Sequence, residues 1–299
     1  MLIWSCHFLW KGVSIMIVIK RVLNNNAVVA KDEHDQTLVA LGSGIAFQRK
    51  AEQVISEEKI EKSFYPKNED ATNSISETLA QVDPKYIELS DRIISEAIAS
   101  SGKKLSDDIY VSLPDHLQFA VERVKKGILI QNKLTVETMQ TYPDEFQLGK
   151  RALNHLSKKT RLTFPDDEAT NIAMHLITAE EGDSLENTEG TIELINRFLK
   201  IIREMLNKEI DSNSVSYYRL ITHLKFFVQR IKKRQDQDFD ADHDLYDMVV
   251  HNYHKEYVIA QRIAGIVMQE FDYQVSDDEI MFLTIHIHRI NISTGENYE

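Results

Sequence analysis

The sequence predicts a multidomain protein in which a small antiparallel β domain is followed by two all-α helical-bundle domains. Three observations support this prediction: short alternating strands near the N-terminal end, helical periodicity beyond them, and an internal repeat within the helical part. The chain has 299 residues, of which 42% are hydrophobic, which is enough for several packed cores. Only 10 residues are Gly and 5 are Pro, so helix is favoured over most of the length.

Residues 17–50 contain short apolar-alternating runs separated by turn formers. The runs IVIKRVL, AVVAK, TLVAL and IAFQR predict strands, and NNN, DEHDQ and GSG predict the turns between them. ISEEKIEKSF then predicts a short helix, and NEDATNSISE predicts a linker. We set the β domain at residues 16–71 and the linker at residues 72–83.

Residues 1–15 are interpreted as a mis-assigned leader. They are apolar, but they are too short to span a bilayer and lack the features of a signal peptide, so stable membrane insertion is not expected. Lys11-Gly12-Val13 can be encoded by a ribosome-binding sequence, which makes Met16 the expected start. The single cysteine, Cys6, excludes a disulfide framework and fits a reducing cytoplasm.

The formal net charge of −12 argues against nucleic-acid binding by most of the chain. Its distribution restricts this conclusion, because residues 16–50 carry five Lys or Arg against three Asp or Glu, and the acidity lies beyond residue 70. Any nucleic-acid contact is therefore expected from the first fifth of the chain, with weak electrostatic support.

The helical part contains a duplicated module. DHLQFAVERVKK at 115–126 matches THLKFFVQRIKK at 222–233, an offset of 107 residues. YPDEFQLGKRA at 142–152 matches YHKEYVIAQRI at 253–263, and DDEATNIAMHL at 166–176 matches DDEIMFLTIHI at 277–287, both at an offset of 111. Segments in the same order at nearly constant spacing predict two domains, at residues 84–185 and 186–299.

Two histidines occupy matching places in each module: His116, His175, His223 and His286. A histidine on an apolar helix is usually a hydrogen-bonded core residue, but retention in both copies favours a chemical role. An imidazole near neutral pH has an unprotonated nitrogen that can accept a phosphoryl group. Arg123 and Arg230 follow at helical spacing, where they either meet a phosphate or continue a solvated face.

No metal, cofactor or catalytic site is expected. His286 and His288 point apart on a helix, and the pair His251 and His254 has no counterpart in the first module. The chain has no HExxH and no GxxxxGK[ST] motif, and GSGIAF lacks the third glycine of a dinucleotide loop.

Several residues of the predicted sheet have the chemistry of RNA contacts. Asn24 and Asn26 are turn formers whose amides also match base edges, and Gly42 and Gly44 permit close approach of a sugar-phosphate. Phe47 either packs in the small core or stacks on an unpaired base, and the residues alone leave both open. The basic side chains that would hold phosphates are Lys20, Arg21, Arg49 and Lys50.

Taken together, these segments resemble the BglG/LicT-type transcriptional antiterminators from Met16 to the end. The segments that carry the resemblance are IKRVLNNNAVV, LGSGIAFQRK, IEKSF, SLPDHLQFAVER, DEFQLGK, DEATNIAMHLITAE, YYRLITHLKFFVQR and SDDEIMFLTIHI. The resemblance implies a co-antiterminator domain that dimerises and binds an RNA hairpin overlapping a terminator in a leader transcript. It also implies two regulation domains of the sugar phosphotransferase system (PTS), so no enzyme activity and no cofactor are expected.

The resemblance also implies roles for particular residues. The RNA contacts fall on Arg21, Asn24, Asn26, Gly42, Gly44, Phe47 and Gln48. The phosphorylated histidines fall on His116, His175, His223 and His286. In similar proteins a sugar-specific enzyme II phosphorylates and inactivates the first module, whereas the phosphocarrier HPr phosphorylates the second and favours the active homodimer. Ser43 departs from the pattern, because many relatives have a basic residue there.

Two other functions remain open at this point. A DNA-binding transcriptional activator with the same regulatory modules would need a helix-turn-helix, whereas the N-terminal sequence alternates like strands. A histidine-dependent enzyme acting on phosphate would show turnover without other components. The sequence does not specify the sugar, although the resemblance suggests a β-glucoside.

Overall fold

The computed structural model describes residues 17–66, 68–234 and 243–293, so the expected leader and the start at Met16 lie outside the described residues. The chain divides into two compact units. The first contains the described residues up to Gln131 together with Gln147–Gly182, and the second contains Asn132–Phe146 together with the described residues from Asp183 onward.

The N-terminal part of the first unit is a five-stranded antiparallel sheet with the order β4-β1-β2-β3-β5, which confirms the predicted small β domain. The strands are β1 Ile17–Asn24, β2 Ala27–Lys31, β3 Thr37–Leu41, β4 Val54–Ile55 and β5 Lys62–Phe64. Apolar side chains on one face of this sheet form a core with Ile45 and Ala46. Strand β2 is buried on both faces from Ala27 to Ala30, because a helix lies against the other side of the sheet.

Three local expectations in this region were wrong. IAFQR forms consecutive turns in place of a strand, and ISEEKIEKSF forms a single 3-10 turn, Glu57–Lys59, followed by strand β5. Pairing of β5 with β3 overrides the helical preference of this charged segment. The segment NEDATNSISE is helical and begins helix α1, Glu69–Gln81, which contacts β1, β2 and β3.

Two local features start and anchor α1. The side chain of Asn68 caps its N-terminus by accepting a hydrogen bond from the backbone N–H of Ala71 at 2.8 Å. Leu79, near its C-terminal end, is fully buried. The stability of this helix therefore comes from its packing on the sheet, which a polar sequence does not reveal.

The helices confirm the prediction of all-α domains. The first unit contains α1, α2 Pro84–Ser101, α3 Ile109–Lys125, α5 Pro143–Thr160 from Gln147 onward, and α6 Asp167–Glu181. The second unit contains α4 Thr135–Thr141, α7 Leu185–Leu206, α8 Val215–Lys233, α9 His243–Asn252, α10 His254–Phe271 and α11 Asp277–Ser293. Within the described residues, no helix is both long enough and apolar enough to cross a membrane.

Equivalent helices pack together in each unit. Helix α3 packs on α6 in the first unit, and the repeat-related α8 packs on α11 in the second. In the second unit this packing surrounds a core in which Phe198 and Phe227 are buried with ring centroids 6.0 Å apart. The two matched segments that carry the histidines thus lie on adjacent helices in each unit.

The contact between α5 and α6 differs from its repeat-related counterpart. A Cβ atom on Gly149 would lie 2.1 Å from the carbonyl oxygen of Ala169, so the two helix backbones are in direct contact there. The positions that align with these two residues in the second repeat hold Ala260 and Ile280, both buried. The first unit therefore requires glycine where the second accepts a methyl group.

This contact predicts that Gly149→Ala lowers the free energy of unfolding by about 1–3 kcal/mol, because the added methyl group overpacks a backbone contact. Urea denaturation of the full chain measures the change. Gly265→Ala is the matched control, since its Cβ meets nothing within 4 Å and helix propensity favours alanine. Equal midpoints for Gly149→Ala and the native chain would contradict the close contact.

Candidate functional site

The two histidines of the first module face each other across α3 and α6. The ring centroids of His116 and His175 are 4.7 Å apart, with their planes tilted by 46°. The sequence places these residues 59 positions apart, and only the packing of α3 against α6 joins them. The structure thus brings together the two residues that the repeat had singled out.

A buried carboxylate on α6 joins this pair to the arginine of α3. His116 Nε2 lies 2.7 Å from one oxygen of Glu168, and Arg123 Nη2 donates a hydrogen bond to the other oxygen at 2.9 Å. The Glu168 side chain is only 2% exposed, so it depends on these partners and on Asn171, whose Nδ2 donates to it at 3.3 Å. Arg123 is therefore not part of a solvated face, and it neutralises a buried acid.

The spacing along each helix explains why these four side chains converge. Arg123 follows His116 by seven residues, and His175 follows Glu168 by seven. Seven residues are two helical turns, so each pair lies on one face of its helix. Where these two faces meet, the four side chains form one cluster between α3 and α6.

The electrostatics favour an uncharged ring on His175. Burial, together with the nearby His116, lowers the pKa of His175 to about 3, so its ring is neutral at neutral pH. Burial alone would raise the pKa of Glu168, but the contacts with His116 and Arg123 outweigh it and the net pKa is lowered. The cluster therefore holds a neutral imidazole beside an ionised carboxylate.

The second module repeats this cluster on α8 and α11. The ring centroids of His223 and His286 are 4.9 Å apart, and His223 Nε2 lies 3.5 Å from Glu279, which also pairs with Arg230. The Glu279 side chain is 3% exposed. Burial, with His223 and nearby arginines, lowers the pKa of His286 to about 4. Both modules thus hold a second histidine that is uncharged and carries a free nitrogen lone pair at neutral pH.

Among the described residues, no group of three or more His, Cys, Asp or Glu side chains could hold a metal ion. His288, which the spacing had excluded from pairing with His286, instead stacks on Tyr253 with centroids 3.8 Å apart. Its Nδ1 lies 3.4 Å from buried Glu256. This arrangement is a packing contact specific to the second module.

The residues expected to contact RNA gather at one end of the sheet. The turn between β1 and β2 is hydrogen-bonded to the loop after β3: Gly44 N–H donates to Asn26 Oδ1 at 2.9 Å, and Gly42 N–H donates to the Asn26 carbonyl at 3.0 Å. Ala46 N–H donates to the Asn25 carbonyl at 3.0 Å. The polar turn and the glycine loop therefore form one continuous surface.

Phe47 and Gln48 extend this surface into solvent. Phe47 is 62% exposed, which excludes the interpretation that it packs in the small core. Gln48 is exposed on a left-handed backbone with φ of 56°. Ser43 is also exposed, and its N–H is bonded to a carboxylate oxygen of Glu61.

Other expected contacts lie elsewhere or have structural functions. Arg21 is exposed in the middle of β1, opposite Val29, three residues before the turn. Gly42 is buried, and a Cβ there would lie 2.0 Å from the Lys59 carbonyl, so its small size serves internal packing. Gly44 has φ of 63°, which favours glycine whatever its surroundings. Lys20 is paired with Glu52 at 3.2 Å, and Arg49 donates to the Val54 carbonyl.

Sequence reasoning missed two groups of functional partners. Glu168 and Glu279 were seen only as part of the repeated DDE segment, although their seven-residue spacing to His175 and His286 was available as a signal. The partners of the asparagine amides were also missed. These partners are backbone carbonyl groups, which carry no sequence signature.

Comparison with known proteins identifies the two kinds of domain that carry these residues. The CAT RNA binding domain family matches residues 17–73, and the PRD domain family matches residues 91–179 and 196–290. The transcription antiterminator LicT of Bacillus subtilis is 38% identical over 91% of this chain and 98% of its own length. A β-glucoside operon antiterminator of Dickeya chrysanthemi is 34% identical over 93% of this chain and 98% of its own length.

A solved structure supports the same assignment. The crystal structure of GlcT CAT-PRDI aligns with 55% of this chain and over 98% of its own length, with a TM-score of 0.50 and 30% sequence identity. An RNA-binding β domain followed by two PTS regulation domains defines a transcriptional regulator that acts on RNA. The chain belongs to the BglG/LicT-type family of transcriptional antiterminators.

The family fixes the general function of the protein. It is an RNA-binding transcription antiterminator whose regulation domains place it under control of the phosphotransferase system. The family consists of regulators, so the expectation that the chain is not an enzyme is confirmed. The RNA-binding domain decides against the DNA-binding alternative.

The lowered pKa of His175 predicts a pH-dependent stability. The unfolded chain binds a proton to this residue below about pH 6.5, whereas the folded chain does not until about pH 3, so the free energy of unfolding falls as pH falls below 6.5. We expect His175→Asn to reduce the loss of stability between pH 7 and pH 5 by about 2 kcal/mol.

Urea denaturation of the full chain at the two pH values measures this difference. His34→Asn is the control, because this histidine is 75% exposed in the sheet domain and belongs to neither histidine cluster. An equal loss of stability in the native chain and in His175→Asn would contradict the burial of a neutral imidazole.

Proposed function

We propose that the four paired histidines accept phosphoryl groups from phosphotransferase-system proteins and that this modification controls RNA binding. The residues are His116, His175, His223 and His286. The observation that carries the proposal is the repeated cluster of two facing imidazoles, one buried carboxylate and one arginine in each unit. Packing alone would explain the retention of apolar residues, but a chemical role explains better why both copies keep the imidazoles, the carboxylate and the arginine.

The transfer needs little from the protein beyond a neutral imidazole. A ring nitrogen with a free lone pair attacks the phosphorus of a phosphohistidine on the donor, a new N–P bond forms, and the donor N–P bond breaks. The donor imidazole retains the electron pair of that bond. The lowered pKa values of His175 and His286 support this role, because an uncharged ring keeps its lone pair at neutral pH. No further reactant is required.

We propose HPr and a sugar-specific enzyme II as the donors, the latter acting on the first module. Phosphorylation of the first module inactivates the protein, and phosphorylation of the second favours the active homodimer. Each phosphoryl group adds about 1.5 to 2 negative charges beside a buried carboxylate. This addition upsets the charge balance of the cluster, which supports a change in how the helices pack or associate.

We propose that RNA binds at the surface formed by the β1–β2 turn and the loop after β3. Its residues are Asn24, Asn26, Gly44, Phe47 and Gln48, with buried Gly42 shaping the loop beneath them and Arg21 contacting a phosphate farther along β1. The exposure of Phe47 supports a stacking role, since an exposed aromatic ring contributes little to a core. The RNA is a hairpin that overlaps a terminator in the leader transcript.

The sugar is proposed from the relatives. One of them is named as a β-glucoside operon antiterminator, and it is aligned over 93% of this chain. We therefore propose that the protein acts in the cytoplasm on the leader of a β-glucoside utilisation operon.

The phosphorylation proposal predicts acid-labile phosphate on the protein. Full-length protein incubated with enzyme I, HPr, enzyme II and phosphoenolpyruvate should acquire phosphate on the four histidines, mapped by mass spectrometry under neutral conditions. Replacing each histidine by alanine should remove its own signal, and exposed His34 should remain unmodified. Absence of phosphate from all four positions would overturn the regulatory proposal.

The RNA proposal predicts that Phe47→Ala weakens hairpin binding about 10- to 100-fold, the range expected for loss of one base–aromatic stack. A gel shift of the full chain with a cognate leader hairpin at low salt measures this change. The thermal midpoint should not change, because the ring is 62% exposed.

Val54→Ala is the matched control, since this side chain is 47% exposed on the same domain and lies outside the proposed surface. Unchanged affinity in Phe47→Ala, or no gel shift by the native chain, would contradict this assignment of the RNA site.

A further inference from the structure

The amide groups proposed to read RNA are already bonded within the protein. Asn24 Nδ2 donates hydrogen bonds to the carbonyl oxygens of Leu79 at 2.7 Å and Val82 at 3.3 Å. Asn26 Nδ2 donates to the carbonyl of Pro84 at 3.5 Å. The remaining amide oxygens are engaged inside the turn, since Asn24 Oδ1 accepts the N–H of Asn26 and Asn26 Oδ1 accepts the N–H of Gly44.

The three acceptor carbonyls belong to one short segment, residues 79–84, which we call the strap. It comprises the last turn of α1, the connection at Val82 and Asp83, and the first residue of α2. Leu79 is fully buried and Val82 is 2% exposed, so both ends of the connection are anchored by apolar side chains. The strap therefore lies in a defined position against the asparagine turn.

A glutamine on α3 holds the strap from the other side. The backbone N–H of Asp83 donates to Gln118 Oε1 at 2.8 Å, and Gln118 Nε2 donates to the carbonyl of Gln81 at 3.1 Å. The Gln118 amide thus bonds to one donor and one acceptor of the strap backbone, the N–H of Asp83 and the carbonyl of Gln81. Gln118 follows His116 by two residues on the same helix.

The same helix also contacts the sheet near its N-terminal end. Lys62 on β5 pairs with Asp107, just before α3, at 3.1 Å. The ring of Phe64 lies 5.7 Å from that of Tyr110, on the first turn of α3. A displacement of α3 would therefore act on the β domain at two places, at strand β5 and at the strap.

We infer that the strap is an autoinhibitory contact that competes with RNA for the amide groups of Asn24 and Asn26, and that Gln118 is the positioning residue that holds the strap closed. This inference rests on the proposed RNA site. An Asn Nδ2 group offers two donors, and those of Asn24 are directed at two carbonyls of the strap, so a base edge must displace the strap to reach them.

The arrangement also links the inhibition to the first histidine cluster. His116 is on the face of α3 that meets Glu168, and Gln118 is on the side that meets the strap. A phosphoryl group that moves α3 relative to α6 would change the position of Gln118. Movement of this single helix would therefore change how firmly the strap is held.

Removing the hydrogen bonds of Gln118 to the strap should expose the amides of Asn24 and Asn26 more often and so tighten RNA binding. Gln118→Ala removes both of its hydrogen bonds to the strap, and we expect the apparent Kd of full-length protein for the leader hairpin to fall about fivefold. Gln147→Ala is the matched control, an exposed helical glutamine of the same unit, and it should bind RNA as the native chain does. The dimer fraction is measured for each protein at the concentration used.

The exchange of the Asn24 side-chain amide protons, followed by nuclear magnetic resonance, supplies a second readout. It should be slow in the native chain and faster in Gln118→Ala. Gln118→Glu supplies a second variant, because it keeps the acceptor for Asp83 and loses the donor to Gln81; it should also bind RNA more tightly than the native chain.

Several results would overturn the inference. They are an unchanged Kd in both Gln118 variants, weaker binding by folded Gln118→Ala, and a gain in affinity explained entirely by a larger dimer fraction. Failure of the proposed RNA site is distinguishable, because then Phe47→Ala binds as the native chain does, or the native chain gives no gel shift at all.

Discussion

The regulatory half of the molecule depends on a carboxylate buried between two helices in each unit. An ionised acid that is 2 or 3% exposed is stable only if cationic and hydrogen-bonding partners surround it. Glu168 and Glu279 therefore require an arginine and a histidine from the neighbouring helix. This requirement fixes the rotation and register of the histidine helices, and it makes each cluster sensitive to added negative charge.

The β domain follows a different constraint, the satisfaction of backbone and amide hydrogen bonds at a tight turn. Asn26 joins the first turn to the glycine loop, and Asn24 joins that turn to the end of α1. The proposed surface for reading bases and the connection to the regulatory helices are thus built from adjacent residues. If the proposed RNA site is correct, recognition and control use the same amide donors.

The sequence predicted most of the fold because strand alternation and internal repetition can both be seen in the residue pattern itself. Alternation identified the first three strands, and the internal repeat identified the histidine helices. Strand β5 was missed because its partner β3 is distant in sequence. Helix α1 was missed because its segment is mostly polar, and the burial of Leu79 that stabilises it depends on tertiary packing. In the site, the histidines were found by repetition. The bond from Asn24 to Leu79 spans 55 residues and ends on a backbone atom, so no pattern could reveal it.

The unequal helix contact at Gly149 means that equivalent helices of the two modules are not interchangeable. A hybrid that placed Ala260 against the α6 backbone would overpack, and one that placed Gly149 opposite Ile280 would lose the methyl group that fills the second unit. Each of these helices is therefore fitted to its own module.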